Sequence, residues 1–205
     1  MATTKLTEQE IRPVQLMGKQ RIAALTDVGR MLSRYEEFVC VPCPACGAED
    51  STPKFEKNSI TYMNCRVCQT FYVNPRPSSN VLEWFYRGSP NYAYWNNVVF
   101  PASETARHQK IFVPRVDQLL ELCRKYSVET RAILEVGAGF GTFCSEVKTR
   151  NVFSRVVGVE PTPDLAETCR KRGLEILEQP IEQIELDHAA LFDVVASFEV
   201  IEHLF

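Results

Sequence analysis

Residues 133–143, ILEVGAGFGTF, carry the pattern with the clearest chemical meaning in this chain. The acid Glu135 comes two residues before the first of three alternating glycines, which are Gly137, Gly139 and Gly141. An apolar run followed by glycines indicates a buried strand that turns tightly into a helix. Such a turn lets the backbone approach a ligand, because glycine has no Cβ and the helix start presents free N–H groups. The stretch therefore predicts a site for a ligand with an adenosine-like shape.

Three features follow the glycines at distances that suit the same ligand. Glu160 ends the second predicted strand, nineteen residues after Gly141, where a carboxylate can accept both hydroxyls of a ribose. Residues 179–182, which begin with Gln179, follow the third strand and could border an adenine. The segment SFEVIEHL follows the fourth strand. All three features reach the carboxyl edge of a parallel sheet, where open α/β folds bind ligands.

A dinucleotide dehydrogenase is the natural alternative, since it also pairs glycines with a later acid. Its fingerprint, GxGxxG, places the third glycine three residues after the second. Here Gly141 comes two residues after Gly139, and Thr142 occupies the dehydrogenase position. Glu135 adds a carboxylate that can accept from a cationic or amino-bearing ligand. The spacing therefore favours a ligand other than a dinucleotide.

Four of the eight cysteines form a second candidate site. Cys43, Cys46, Cys65 and Cys68 make two CxxC pairs separated by eighteen residues. Two such pairs supply four thiolates to a tetrahedral ion, and the connection is long enough for a small β-hairpin. We expect a structural Zn²⁺, with unmetallated buried thiols and iron as the alternatives. Cys40 is interpreted as a small buried residue beside the site rather than as a ligand that exchanges into it.

Composition and charge limit the classes of partner. The 205 residues are 45% hydrophobic and 24% charged, with a net charge of −3, which is ordinary for a globular protein without a nucleic-acid partner. Residues 40–80 contain four basic and three acidic side chains, which is too balanced for phosphate-backbone binding. No window has the roughly 18 to 20 apolar residues of a membrane span. We expect a cytoplasmic protein that binds neither nucleic acid nor membrane.

Elements predicted from periodicity must position these residues. An amphipathic helix is predicted from Val14 to Glu37 with a possible break at residues 27–29, and a short helix is predicted to end near Tyr86. An aromatic-rich loop over residues 87–100 could line an acceptor pocket or pack the ribbon against the next domain. Residues 103–126 return to a helical pattern that Pro114 should kink or split. From residue 131, strands and helices alternate, with the first strand predicted at Ala132–Val136, its helix at Thr142–Arg150 and the last helix beginning near Glu199. The predicted divisions are a helical segment 1–40, a zinc ribbon 41–78, a helical and aromatic region 79–130 and an α/β domain 131–205.

The set E/DxGxGxG, the acid after the second strand and FDVVxxxEVIEHL resembles the motifs of class I S-adenosylmethionine-dependent methyltransferases. The motifs cover about residues 131–205. The N-terminal half, with CPxCG, a second CxxC and YVNPRP, is similar to a bacterial subgroup that carries a zinc-binding module. The resemblance implies a partial Rossmann-like methyltransferase domain of about four parallel strands. It also implies S-adenosylmethionine as cofactor and a small-molecule acceptor such as a sugar or sugar nucleotide.

The resemblance also implies roles for single residues. Glu135 would meet the methionine amino group, Glu160 would hold the ribose, and Phe198 and Glu199 would border the site of methyl transfer. His203 is the nearest candidate base, although a structural or capping role is the favoured alternative, and His188 is weaker. The expected catalytic residues are Glu199 and His203. The expected cofactor-binding residues are Glu135, Gly137, Ala138, Gly139, Gly141, Glu160, Pro161, Gln179 and Phe198.

The sequence departs from the family at its C-terminal side. A class I domain has seven strands, and this sequence reaches the helix after the fourth. We therefore expect a fragment whose exposed, apolar fourth strand pairs with a second copy to form a homodimer. The alternative function is a non-catalytic zinc-ribbon binding or assembly protein with a vestigial cofactor pocket.

Overall fold

The structure is a computed structural model that describes residues 6–185 and 192–204. Its internal contacts divide the chain into two compact units. The sheet unit comprises Met1–Ala24 and Tyr86–Phe205, and the cysteine unit comprises Leu25–Phe85. The cysteine unit contains both CxxC pairs, and the sheet unit contains the glycine turn.

Two helices open the described chain, α1 at Glu8–Ile11 and α2 at Val14–Leu32. In α1, Glu10 Oε2 accepts from the backbone amide of Thr7 at 2.9 Å, which caps the first turn. The predicted break in α2 is wrong, since Gly29 lies inside a continuous helix, and the cost of about 1 kcal/mol for a glycine is too small to end it. The predicted end at Glu37 is also wrong. The chain turns after Leu32, and Tyr35–Glu37 form a 3₁₀ turn.

The cysteine unit is built mainly from short antiparallel strands. The central sheet has the order β2-β3-β4, which places the predicted hairpin between the two CxxC pairs. A second pair joins β1 to β5, with Phe38 opposite Pro77. The strands are β1 at Phe38–Val39, β2 at Ser51–Lys57, β3 at Ile60–Cys65, β4 at Phe71–Val73 and β5 at Arg76–Pro77.

Most of the segment between the cysteine unit and the parallel sheet is helical, so the predicted aromatic-rich loop is wrong. The elements are α3 at Ser79–Arg87, α4 at Pro90–Tyr94, a π-helical turn at Trp95–Val99, α5 at Phe100–Arg107, a second π turn at His108–Phe112 and α6 at Val113–Lys125. Ser89 Oγ accepts from the amide of Tyr92 at 3.0 Å and starts α4. Sequence reasoning missed the helix because asparagine, glycine and proline mark loops as often as they mark helix starts.

Both π turns end two residues before a proline. Pro101 lies in the first turn of α5, and Pro114 lies in the first turn of α6. A proline lacks the N–H that would continue the helical hydrogen bonds, and a π turn shifts the hydrogen-bond register by one residue. The helical run therefore continues through Pro114 by a change of helix type, where the sequence predicted a kink or a split.

The parallel sheet of the sheet unit has the order β8-β7-β6-β9. Its elements are β6 at Ala132–Val136, α7 at Thr142–Arg150, β7 at Arg155–Val159, α8 at Pro163–Lys171, β8 at Glu175–Leu177 and β9 at Val194–Ser197. Every strand pair is parallel. The α/β class and the four parallel strands are thus confirmed. The predicted bounds of the first strand and its helix are those observed.

Side chains of β6 alternate between the two faces of this sheet. Ile133 packs with residues of α6 and α7, including Val116 and Phe143. Leu134 packs on the opposite face with Val157. This alternation is expected for a strand covered on both faces, and it explains why all five residues of β6 are buried.

The end of the described chain differs from the prediction. Ile201–His203 form a 3₁₀ turn, so an α-helix beginning near Glu199 is not found in residues 192–204. His188 and Phe205 lie outside the described residues.

Strand β9 pairs with β6 alone among the strands described, and Val195 on it is 62% exposed. Dimerisation through this strand stays a prediction. None of the helices in the described ranges combines the length and the apolar character needed to cross a membrane.

Candidate functional site

The turn between β6 and α7 adopts a backbone that requires glycine. Gly137, Gly139 and Gly141 have φ values of +80°, +54° and +77°, a region that other residues rarely enter. A Cβ on Gly141 would lie 2.8 Å from Cys169 Sγ and from Leu174 Cδ1. A Cβ on Gly139 would meet nothing within 4 Å. Gly141 is therefore needed for packing, whereas the backbone at Gly139 faces open space that a ligand could occupy.

Glu160 follows β7 and joins the turn to the start of α8. Its Oε2 accepts from the amide of Gly139 at 2.8 Å, and its Oε1 accepts from the amide of Thr162 at 2.9 Å. The residue is 5% exposed, and this burial raises the pKa of its carboxyl. The two amide donors favour the charged form and partly oppose that rise. Each carboxylate oxygen can accept a further hydrogen bond, so Glu160 retains acceptor capacity for ligand hydroxyls.

Glu135 lies in β6 below the same turn and is 3% exposed. The Cys144 thiol donates to Glu135 Oε2 at 2.9 Å. Burial raises the pKa of Glu135 to about 8, and the nearby charge of Glu160 acts in the same direction. The carboxyl is therefore mainly protonated at neutral pH. A cationic ligand group beside it would favour the charged form and lower this pKa.

The other predicted site residues follow the ends of β7, β8 and β9. Pro161 comes directly after Glu160, and Gln179 follows β8 and is half-buried. Phe198 packs edge-on against Phe143, with ring centroids 5.0 Å apart. Glu199 is exposed and has a φ of +57°, which is uncommon for a residue with a side chain. The exposed His203 lies in the 3₁₀ turn.

Several residues at this edge were missed by the sequence analysis. Arg115 of α6 lies 4.5 Å from the centroid of the Phe198 ring and pairs with Glu199 at 3.9 Å. Val200 packs so closely on Gly137 that a Cβ there would lie 2.3 Å from its Cγ2. Nothing in the sequence indicates either contact, because both partners come from distant parts of the chain.

Close packing at Gly158, unlike these two contacts, has a signal in the sequence. An isolated glycine within a strand pattern indicates close approach of another segment. In the structure, a Cβ on Gly158 would lie 2.7 Å from Ile176 Cδ1 and 2.8 Å from Ala138 Cβ. Ala138 of the glycine turn therefore packs directly on β7. This contact holds the turn against the sheet.

The cysteine cluster brings its four predicted ligands together in the cysteine unit. The Sγ atoms of Cys43, Cys46, Cys65 and Cys68 all lie within 4.8 Å of one another. Cys43 and Cys68 are 3.5 Å apart, and Cys46 and Cys65 are 3.6 Å apart. A tetrahedral ion with Zn–S bonds of about 2.3 Å separates its sulfur ligands by about 3.8 Å. The donor set and its spacing therefore fit Zn²⁺.

Contacts within the cluster act differently on its thiols. The backbone of Ala48 lowers the pKa of Cys46, but burial and the other three cysteines raise it to about 12 overall. Cys68 Sγ lies 3.1 Å from Thr70 Oγ1, and hydrogen bonding to Thr70 lowers the pKa of Cys68 to about 6. A lowered pKa favours the thiolate, which is the form that binds a metal ion. Cys40 is exposed and does not belong to the cluster of four, so its predicted burial is wrong.

Comparison with known proteins found a family match for part of the sheet unit. Residues 134–205 match a family model described as a methyltransferase domain. The matched range includes the glycine turn, Glu160 and the end of β9. A search of curated proteins found no match. The family match supports a methyltransferase that uses S-adenosylmethionine, and the cysteine cluster is compatible with zinc binding.

Proposed function

We propose that the sheet unit is a class I methyltransferase domain that binds S-adenosylmethionine at the carboxyl edge of its parallel sheet. One observation carries the proposal. Two buried carboxyls, Glu135 and Glu160, flank a glycine turn whose middle glycine, Gly139, faces open space. A nucleoside with an attached amino acid needs an acceptor for its ribose, an acceptor for its amino group and room beside the backbone.

The chain's own residues bind and orient the two reactants. Glu160 accepts from ribose hydroxyls, and its bonds to the amides of Gly139 and Thr162 fix the carboxylate in place. Glu135 accepts from the amino group. Gly137, Ala138, Gly139 and Gly141 form the cradle, and Pro161 and Gln179 border the base. S-adenosylmethionine, when bound, supplies a methyl group made electrophilic by its sulfonium.

The acceptor side of the site is formed by residues that follow β9. Phe198 borders the site of transfer and excludes water, and Glu199 and His203 are the candidates for moving a proton from the acceptor. Transfer requires the acceptor atom to be held about 3 Å from the methyl carbon and in line with the bond that breaks. We propose a small-molecule acceptor such as a sugar or a sugar nucleotide.

We propose that Cys43, Cys46, Cys65 and Cys68 hold a structural Zn²⁺ as thiolates. Four protein ligands complete a tetrahedral coordination and leave no position for substrate or water. The cluster therefore stabilises the cysteine unit and takes no part in methyl transfer.

Calorimetric titration with S-adenosylmethionine tests the cofactor assignment. Glu160→Gln should weaken binding by about 1.5–3 kcal/mol, because it replaces charge-assisted hydrogen bonds by neutral ones. Glu167→Gln is the matched control, since Glu167 pairs with Lys171 on the exposed surface of α8 and should leave affinity unchanged. Absence of binding to the folded wild-type protein would overturn the proposal.

A further inference from the structure

The buried carboxyl of Glu135 is held by a hydrogen bond at one of its two oxygens. The Cys144 thiol donates to Oε2 at 2.9 Å, and no group in residues 6–185 or 192–204 donates to Oε1. Oε1 is nevertheless not fully enclosed, since Asn64 Oδ1 is the one buried side-chain oxygen or nitrogen without a partner in those same ranges. Oε1 is therefore the oxygen through which this carboxyl can meet a ligand.

Cys144 reaches this carboxyl from the first turn of α7. The residue is 1% exposed and packs in a buried cluster with Ala138 of the glycine turn, Cys169 and Leu174. Burial raises the pKa of its thiol, so Cys144 stays protonated at neutral pH and remains a hydrogen-bond donor. Its enclosed side chain therefore fixes the position of the carboxyl oxygen that it contacts.

Groups from four neighbouring elements act on the charge of Glu135. Burial is the largest effect and raises its pKa to about 8, although the thiol and the backbone amide of Cys144 lower it. Glu160, which follows β7, raises this pKa further, and Arg115 of α6 lowers it. The Cys169 thiol of α8 stays neutral, because burial and the two carboxyls raise its pKa to about 12. Without a ligand, Glu135 therefore carries a proton at pH 7.

We propose that Cys144 is a positioning residue for the cofactor, whose thiol holds Glu135 Oε2 and leaves Oε1 to accept from the amino group of S-adenosylmethionine. The inference rests on the proposed methyltransferase function. A cationic amino group beside Oε1 favours the carboxylate, so the proton of Glu135 passes to the solvent when the cofactor binds. The thiol then donates to a charged acceptor, which strengthens its hydrogen bond. Cofactor binding is thus coupled to the release of a proton.

The chemistry of a thiol suits this role, because a thiol is a weak hydrogen-bond donor. A stronger donor at this position would favour the charged carboxylate before the ligand arrives. A side chain without a donor would leave both oxygens of Glu135 unpaired and make ionisation of the buried carboxyl more costly. The strength of the donor at residue 144 should therefore set both the affinity for the amino group and the number of protons released.

Calorimetric titration with two ligands tests the role of Cys144. S-adenosylmethionine carries the amino group, whereas methylthioadenosine keeps the nucleoside and lacks the amino-acid end. Cys144→Ala should weaken binding of S-adenosylmethionine about tenfold and leave the affinity for methylthioadenosine unchanged. A merely structural defect in the glycine turn would weaken both ligands. Cys123→Ala is the matched control, since Cys123 is a buried cysteine that packs with Val116 in the core, and it should bind both ligands like wild type.

Titration in two buffers of different ionisation enthalpy counts the protons released on binding. At pH 7 the wild-type protein should release about 0.9 proton per bound S-adenosylmethionine, because a carboxyl with a pKa of about 8 is mostly protonated there. Glu135→Gln has no proton to lose at this position and should abolish that release. Cys144→Ser provides a second variant if Cys144→Ala does not fold. Its hydroxyl is a stronger donor, so it should keep the affinity and release fewer protons than wild type.

Three results would overturn the inference and leave the proposed function standing. They are an equal effect of Cys144→Ala on both ligands, equal proton release by the wild-type protein and Glu135→Gln, and, where the serine variant replaces the alanine variant, proton release like that of wild type. In each case S-adenosylmethionine still binds the wild-type protein. If S-adenosylmethionine does not bind the folded wild-type protein, the proposed function fails as well.

Discussion

The glycine turn and the cysteine cluster both gather polar groups at one point, but they owe their shape to different interactions. The turn is positioned by a parallel sheet whose core includes Ile133, Phe143 and Val157. The buried hydrophobic cluster around the cysteines consists of Cys43, Cys65 and Tyr72, and two of these three are candidate metal ligands. A site on an apolar core can be formed before its ligand arrives. A site whose ligands are themselves the core depends on the ion.

Metal removal should give the largest effect on stability. If it did not, the difference we infer between the two sites would be wrong. Structural zinc sites in small modules contribute about 10–16 kcal/mol, which exceeds the stability of most domains. Cys65→Ser should therefore unfold β2 to β4 and leave the parallel sheet folded. Segment-resolved hydrogen exchange with a metal analysis measures this difference. Cys40→Ser is the control and should retain about one zinc per chain. Protected amides in β2 to β4 of a metal-free protein would contradict the prediction.

Mutation of two glycines of the turn distinguishes a glycine needed for packing from one that leaves room for a ligand. Gly141→Ala should lower the free energy of unfolding by about 2–4 kcal/mol, because its Cβ would lie 2.8 Å from Cys169 Sγ and Leu174 Cδ1. Gly139→Ala should cost only the conformational strain of about 1–2 kcal/mol, since its Cβ meets open space. Urea unfolding measures both variants. Equal destabilisation would mean that Gly139 is as tightly packed as Gly141.

The smallest expected effect is a pH dependence located at Glu135. Burial raises the pKa of its carboxyl from an ordinary value of 4.5 to about 8 in the folded protein. The folded state therefore holds this proton more tightly than the unfolded state. The free energy of unfolding should fall as the pH rises from the unfolded pKa toward the folded pKa. We expect a loss of about 1 kcal/mol between about pH 6 and about pH 7. Glu135→Gln should remove this slope in urea unfolding, and parallel curves for the two proteins would refute it.

Local signals in the sequence determined most of both sites. The glycine spacing, the acids Glu135 and Glu160 and the two CxxC pairs each depend on residues close together in the chain. Strand β6 and helix α7 were predicted to the residue, because an apolar run, a glycine turn and a helix pattern follow one another directly. The helical segments over residues 90–102 were missed, since their aromatic residues pack against partners that sequence spacing does not reveal.

The tertiary structure decided which chemistry-bearing residues meet. Arg115 over Phe198 and Val200 against Gly137 each join segments far apart in the chain. Arg107 illustrates the reason. The sequence identifies a basic residue on a helix, but only the fold surrounds it with Ser103, Ile11 and Trp95, with no ion pair to an acid in residues 6–185 or 192–204. A motif specifies the residue types that a site needs, whereas burial and the absence of a counter-charge depend on long-range packing, which spacing along the chain does not encode.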